Sequence, residues 1–194
     1  MFIDILNPSV VNKRYGIIYS DPAWEQTKGN IRACRPNQRK NLDYNTCSLM
    51  EIESIHKNAF ELCDDKCNVF MWTIDKYLFQ TEKMMENLGY VVHARLIWDK
   101  CNGVAPAFTV RYSHEYLLWF YRKGHMLMPS SQTRGKYTTV IREKSTVHSH
   151  KPECVYKMLD EMFPSVEKLE LFARNGKDGW DNWGNQTDLF EIVV

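Results

Sequence analysis

A succession of uninterrupted apolar runs, separated by segments of helical period, constrains this chain more than any other feature. Tyr15-Gly16-Ile17-Ile18-Tyr19-Ser20 and Asn68-Val69-Phe70-Met71-Trp72-Thr73 carry almost no exposed-type residue. Such runs read as strands buried on both faces, which is how parallel sheets under helices are written. Tyr90 to Trp98, Ser113 to Arg122 and Glu167 to Ala173 read as three further strands. Between them, Ser48 and Glu51 form a capping box, and Ile52, Ile55, Ala59, Leu62 and Cys63 mark one face of the helix it opens. Asp75 caps a second helix, which carries Tyr77, Leu78, Met84, Met85 and Leu88 on one side and ends at Gly89. His148 to Glu153 opens the last helix, with Ser149 or His150 as cap, Pro152 in its first turn and Pro164 as its stop. Thr138-Thr139-Val140-Ile141 is expected in a peripheral hairpin or loop. The resulting order predicts an α/β fold: a mostly parallel sheet with helices on both faces and at least one antiparallel strand near residues 114–121.

At 194 residues and 44% hydrophobic, the chain has the size and the core of one domain, residues 1–194. Its 25 basic and 24 acidic residues leave a formal charge of +1, so affinity for a polyanion must come from a local patch. No Gly-x-Gly-x-x-Gly and no Gly-rich Lys-Ser/Thr loop occurs, which argues against dinucleotide and nucleoside-triphosphate sites. Cys63 and Cys67 are four apart without a matching Cys/His pair at finger spacing, so no metal is expected. Without a signal peptide or long apolar segment, the expected setting is cytoplasmic, with reduced thiols and no membrane.

Directly after the first strand stand Asp21-Pro22-Ala23-Trp24. In open α/β sheets ligands collect at the carboxyl ends of strands, so a carboxylate, a rigid turn and a large aromatic arrive together at a ligand-binding edge. Methyl transfer to an aromatic amine needs such a set. The amine's lone pair is delocalised into its ring and attacks poorly until two acceptors take its hydrogens. Asp21 supplies one acceptor and the Pro22 carbonyl the other, while Trp24 offers a stacking platform for a base, worth roughly 1–3 kcal/mol. Holding the reactants in line removes about 7–11 kcal/mol of barrier, so positioning outweighs acid-base chemistry.

These four residues resemble the Asp-Pro-Pro-Trp signature of amino methyltransferases. Tyr44-Asn45-Thr46-Cys47-Ser48 resembles a Tyr-Gly-Thr-Met-Ser segment, Ser149-His150-Lys151-Pro152-Glu153 a Ser-His-Lys-Pro-Asp segment, and Lys168 to Arg174 with Trp183-Gly184-Asn185-Gln186 the closing segment of the same family. That family is the adenine N(6)-methyltransferases typified by the catalytic subunit of the eukaryotic mRNA adenosine methyltransferase. His114-Glu115 matches a pair common in its bacterial and phage DNA-modifying branch. The resemblance implies a Rossmann-like methyltransferase fold and S-adenosylmethionine as donor. It places Asp4, Ile5, Arg174, Asn175, Asn185 and Gln186 at the donor's adenine and ribose, Lys151 at its methionine carboxylate and Glu170 behind them. It places Tyr44 at the acceptor pocket and implies adenine in DNA as substrate, with RNA or a catalytically silent binding subunit as alternatives. Ala23 departs from the pattern and is expected to cost the turn some rigidity.

Two irregular segments read as substrate loops. Residues 25–45 hold Lys28, Arg32, Arg35, Arg39 and Lys40, with no acidic residue from Thr27 to Leu42, which favours phosphate contact. Residues 100–113 are broken by Asn102-Gly103 and Pro106, and Lys100 and Arg111 are expected on the nucleic-acid backbone. So small a chain has little surface for a separate recognition domain, which makes a homodimer or heterodimer a natural arrangement.

Overall fold

The structure, a computed structural model, describes residues 11–25, 46–101, 110, 112–145, 151–174 and 176–184. Within them the chain forms β1 (Tyr15–Ser20), α1 (Leu49–Phe60), β2 (Cys63–Thr73), a 3-10 turn (Asp75–Tyr77), α2 (Leu78–Asn87), β3 (Tyr90–Asp99), β4 (His114–Arg122), β5 (Val140–Arg142), α3 (Glu153–Met162), β6 (Lys168–Leu171) and β7 (Asp181–Trp183). The strands make one seven-stranded sheet in the order β5-β3-β4-β2-β1-β6-β7. β4 is antiparallel to both β2 and β3, and every other pairing is parallel. The expected α/β fold and the expected reversed strand are both present.

Strand alternation divides the core. Ile18, Val69, Met71, Leu118, Phe120 and Leu169 face α1 and α2 on one side of the sheet. Ile17, Tyr19, Phe70, Trp72, Leu117 and Trp119 face α3 and the segment after β4 on the other. Every residue of β1 is buried, as its unbroken apolar run requires.

Several boundaries differ from the sequence reading. α1 begins with the expected reciprocal Ser48–Glu51 box but stops at Phe60, and Leu62 and Cys63 leave it. The reason is tertiary: Tyr15 N–H donates to the Leu62 carbonyl at 2.9 Å, which draws this stretch into the sheet beside β1. Asp75 makes no side-chain cap, because the chain enters α2 through a 3-10 turn. Val140–Arg142 is a parallel edge strand against β3 rather than a hairpin.

The N-cap of α3 is Pro152, which offers no side chain to the helix. Its orphan donors are met from elsewhere: the Glu143 carboxylate accepts from Glu153 N–H at 2.8 Å and from Cys154 N–H at 3.0 Å. The anion also suits the positive end of the helix dipole. Among the described residues no helix is long and apolar enough to cross a membrane.

Candidate active site

The sheet itself decides where the site lies. From β1 the chain leaves through α1 to β2 on one side, and β6 returns through α3 to pair with β1 on the other. Connections that diverge from one strand leave a crevice outside its carboxyl end. Asp21 stands there, immediately after β1, with its N–H donating to the Leu171 carbonyl of β6 at 3.4 Å.

The turn that follows is held by its own hydrogen bonds. Trp24 N–H donates to the Pro22 carbonyl at 2.9 Å, and Cys47 N–H donates to the Ala23 carbonyl at 2.8 Å. These bonds fix residues 22–24 where the family pattern has a second proline. The Pro22 oxygen keeps a second lone pair for another donor. Trp24 is 6% exposed: Tyr77 stacks on its ring at 4.9 Å and 19°, and its Nε1 donates to the Trp72 carbonyl at 3.1 Å. The sequence offers Trp24 as a platform for a base; here Tyr77 stacks on its ring, and its indole bond to Trp72 ties the turn to β2. Tyr77 and Lys76 extend the clamp by donating to the Glu25 carbonyl at 2.5 Å and 3.3 Å.

A chain of alternating charges runs along this edge. Lys151 Nζ lies 2.9 Å from Asp21 Oδ1 and 3.2 Å from Glu115 Oε2, and Glu115 Oε1 accepts from Lys100 Nζ at 2.5 Å. Burial raises the Asp21 pKa, and the Lys151 charge only partly offsets it. Burial also penalises the Glu115 carboxylate, but two lysines outweigh that and hold its pKa below the usual value. Burial disfavours the Lys151 ammonium too, yet Asp21 and Glu115 together keep its pKa raised. Asp21 and Glu115 thus keep Lys151 charged, and of these two carboxylates it is Asp21 whose burial outweighs its pairing.

Lys100 was expected on a nucleic-acid backbone. In the structure its ammonium already has a partner: β4 runs antiparallel, pairing Asp99 with His114, so Glu115 arrives beside Lys100 and engages it. Sequence reasoning marked Glu115 only as half of a His-Glu pair. Its role needs the reversed direction of β4, which alone carries a strand's start to the edge where its neighbours end.

The crevice opens into a cleft of about 410 Å³ bounded by Asp21, Lys151, Tyr156, Glu170, Arg174 and Lys177, among others. Tyr156 donates to Glu170 Oε1 at 2.8 Å, while Glu170 Oε2 is buried without a partner. Burial, with the Asp21 charge nearby, raises the Glu170 pKa to about 7 despite the Tyr156 bond and Lys177. Lys177 sits 4.9 Å from the centre of the Tyr156 ring and pairs with Glu153 at 3.0 Å. Sequence reasoning missed Tyr156 and Lys177, whose only signal was proximity to Glu153 and Arg174 in a motif. Phe172, the residue after β6, has φ 62°, a strained conformation for a bulky side chain, and there the chain turns toward Arg174.

Asp21, Lys151, Glu170 and Arg174 are therefore brought together, and Pro22 and Trp24 adjoin them. Asp4, Ile5, Lys28, Arg32, Arg35, Arg39, Tyr44, Arg111, Asn175, Asn185 and Gln186 lie outside the described residues. The segment leading to Asn185 is placed, however. Ala173 N–H donates to the Trp183 carbonyl at 2.9 Å, and Gly184 packs so closely that an added Cβ would fall 2.1 Å from the Ala173 oxygen.

Known proteins resemble this chain in sequence and in fold. The Type II methyltransferase M.MunI of a Mycoplasma species is 28% identical over 196 residues, covering 94% of this chain and 82% of that protein. The human N(6)-adenosine-methyltransferase catalytic subunit METTL3 is 26% identical over 200 residues, 98% of this chain but only 31% of that protein. In three dimensions the chain is similar to M1.HpyAVI, solved as a SAM complex, with a TM-score of 0.68 at 16% identity over 96% of this chain and 90% of that one. Residues 15–186 match the MT-A70 family model, and with the whole site inside that span the chain belongs to the MT-A70 family of methyltransferases.

Proposed function

We propose that this chain transfers the methyl group of S-adenosylmethionine to the 6-amino group of adenine in DNA. The observation that carries the reading is the buried Asp21 carboxylate, set after β1 beside the Pro22 carbonyl and opening on the cleft of Lys151, Glu170 and Arg174. The residues present fit the donor. It is a zwitterion with an added sulfonium charge, and the cleft pairs cations at Lys151, Arg174 and Lys177 with carboxylates at Asp21 and Glu170. The partnerless Glu170 Oε2 is an acceptor awaiting a donor group. When bound, S-adenosylmethionine supplies an electrophilic methyl group on sulfur.

The protein's own part is orientation. Lys151 occupies Asp21 Oδ1, which leaves Oδ2 to accept one hydrogen of the amine. The second lone pair of the Pro22 oxygen accepts the other hydrogen, so the nitrogen lone pair projects away from both. Trp24, locked between Tyr77 and Trp72, keeps the two acceptors at a fixed separation. Lys151, Arg174 and Glu170 hold the donor, and Tyr156 fixes the Glu170 carboxylate. No strong base is required, because the alkylated amine sheds its proton to water.

The likeness to M.MunI, of which this chain spans 82%, supports DNA as the substrate. In this reading residues 1–194 act as one domain in the cytoplasm of a bacterial or phage-infected cell, and in a duplex the target base leaves the stack at a cost of a few kcal/mol. The test is methyl transfer to matched DNA and RNA oligonucleotides, with the product identified by mass spectrometry. N6-methyladenine in DNA supports the reading. Methylation confined to RNA moves the substrate to the alternative, and donor binding without transfer to either marks a silent binding subunit.

A further inference from the structure

Away from this cleft the α3 side of the sheet holds a second cavity, of about 350 Å³. Its origin is architectural. Seven strands at about 4.8 Å spacing span nearly 30 Å, whereas one helix covers about 10 Å. On this face α3 is the only helix among the described residues, so the half of the sheet formed by β2, β4 and β3 is covered by the irregular segment 123–139. The floor of the cavity is Phe70, Leu96, Trp119, Met158 and Met162, and Thr133, Arg134 and Thr138 stand among its other walls.

The cavity is built rather than loosely closed. Asn68 holds the segment as a strand would, its side chain donating to the Leu127 carbonyl at 2.9 Å and accepting from Leu127 N–H at 3.3 Å. Ser130 N–H donates to the Met162 carbonyl at 2.8 Å, and Tyr137 donates to Glu161 at 2.5 Å. Both ends of the cover are thus tied to β2 and to the end of α3.

Two features say what the cavity would take. Trp119 is 92% buried, and its Nε1, a donor with no acceptor capacity, has no hydrogen-bond partner. Nε1 itself is closed off from solvent, so an acceptor reaches it as the neighbouring side chains shift, and in doing so recovers roughly the 1–3 kcal/mol that a buried unpaired N–H costs. In addition, no carboxylate lines the cavity, while Arg134 and His93 do, His93 packed edge-on to Trp119 at 4.4 Å. We propose that this cavity binds a small organic acid, an aromatic one by preference, whose apolar body lies on the Met and aromatic floor while its carboxylate meets the Trp119 N–H and the charge of Arg134.

The test uses 2-naphthoate, with neutral 2-naphthamide as control, on the full chain labelled with 15N. Trp119→Phe identifies the Trp119 indole N–H resonance by its loss. That resonance should shift saturably with 2-naphthoate and move less with the amide. Arg134→Glu, a change on an exposed side chain, should weaken 2-naphthoate binding at least tenfold. Ala94→Phe, which fills the cavity from β3, should abolish it while S-adenosylmethionine binding by calorimetry persists. A resonance unmoved by 2-naphthoate at millimolar concentration would overturn the proposal. So would equal binding of acid and amide with no effect of Arg134→Glu, or a concentration-dependent dimer that buries Trp119 and excludes both probes.

Discussion

One ammonium faces two carboxylates at the heart of the site, and the division of labour between them is electrostatic. Glu115, bound by Lys100 and Lys151, stays charged, so Asp21 can give one oxygen to Lys151 and keep the other for substrate. Asp21→Ala should therefore lower turnover at least a thousandfold while donor affinity, measured by calorimetry, stays within a few-fold; substantial residual turnover would remove Asp21 from the reaction. Glu170 gives a pH signature. Its folded pKa of about 7 lies above the usual carboxylate value, so its contribution to stability is present at low pH and is lost as pH rises through 7. Donor binding runs the opposite way, because a cationic ligand favours the ionised acid. Affinity for S-adenosylmethionine should rise several-fold between pH 6 and pH 8, and Glu170→Gln should flatten that rise.

The elements are tied to the site by groups far from the reacting atoms. His56 of α1 is fully buried, with Nδ1 2.7 Å from the Ile52 carbonyl and Nε2 3.0 Å from Ser20 Oγ, at the very end of β1. Burial lowers its pKa to about 4, so the folded protein holds it neutral, donating to Ile52 and accepting from Ser20. The stability this group contributes is present above pH 6.5 and is lost as pH falls toward 4, up to about 3 kcal/mol. His56→Gln should reduce the fall in unfolding free energy over that interval, as denaturant titration at pH 7 and pH 4.5 would show. The start of α3 depends on the Glu143 carboxylate, so Glu143→Ala should cost about 1–2 kcal/mol and loosen Lys151 and Glu153 behind it. A melting temperature unchanged by that substitution would show that the cap is dispensable. Neither tie was visible in the sequence. His56 reads there as one more polar position on a helix, and Glu143 lies ten residues before the N–H it serves.

At the scale of the whole molecule, what the sequence disclosed was what periodicity and local motif encode. Unbroken apolar runs announced β1 and the centre of β2, and the acid-proline turn after β1 marked the edge at which Lys151, Glu170 and Arg174 meet. The partners of those residues were not disclosed. Lys100 reads as a free cation until β4 is known to run backwards, and Trp24 reads as an open platform until the 3-10 turn before α2 brings Tyr77 against it. Gly184 shows the same limit, since its need for a bare backbone comes from Ala173, two residues past the end of β6. Gly184→Ala should push the backbone away from Ala173 and weaken donor binding at least tenfold with a smaller effect on melting temperature; unaltered affinity would show that this close approach does not serve the cleft. Lastly, among the described residues the outermost strands of the sheet, Val140–Arg142 and Asp181–Trp183, are each three residues long. Borders so brief give a second molecule little main chain to zip onto, so a copy that docked on either described edge would be held by side-chain faces rather than by a sheet continued across copies.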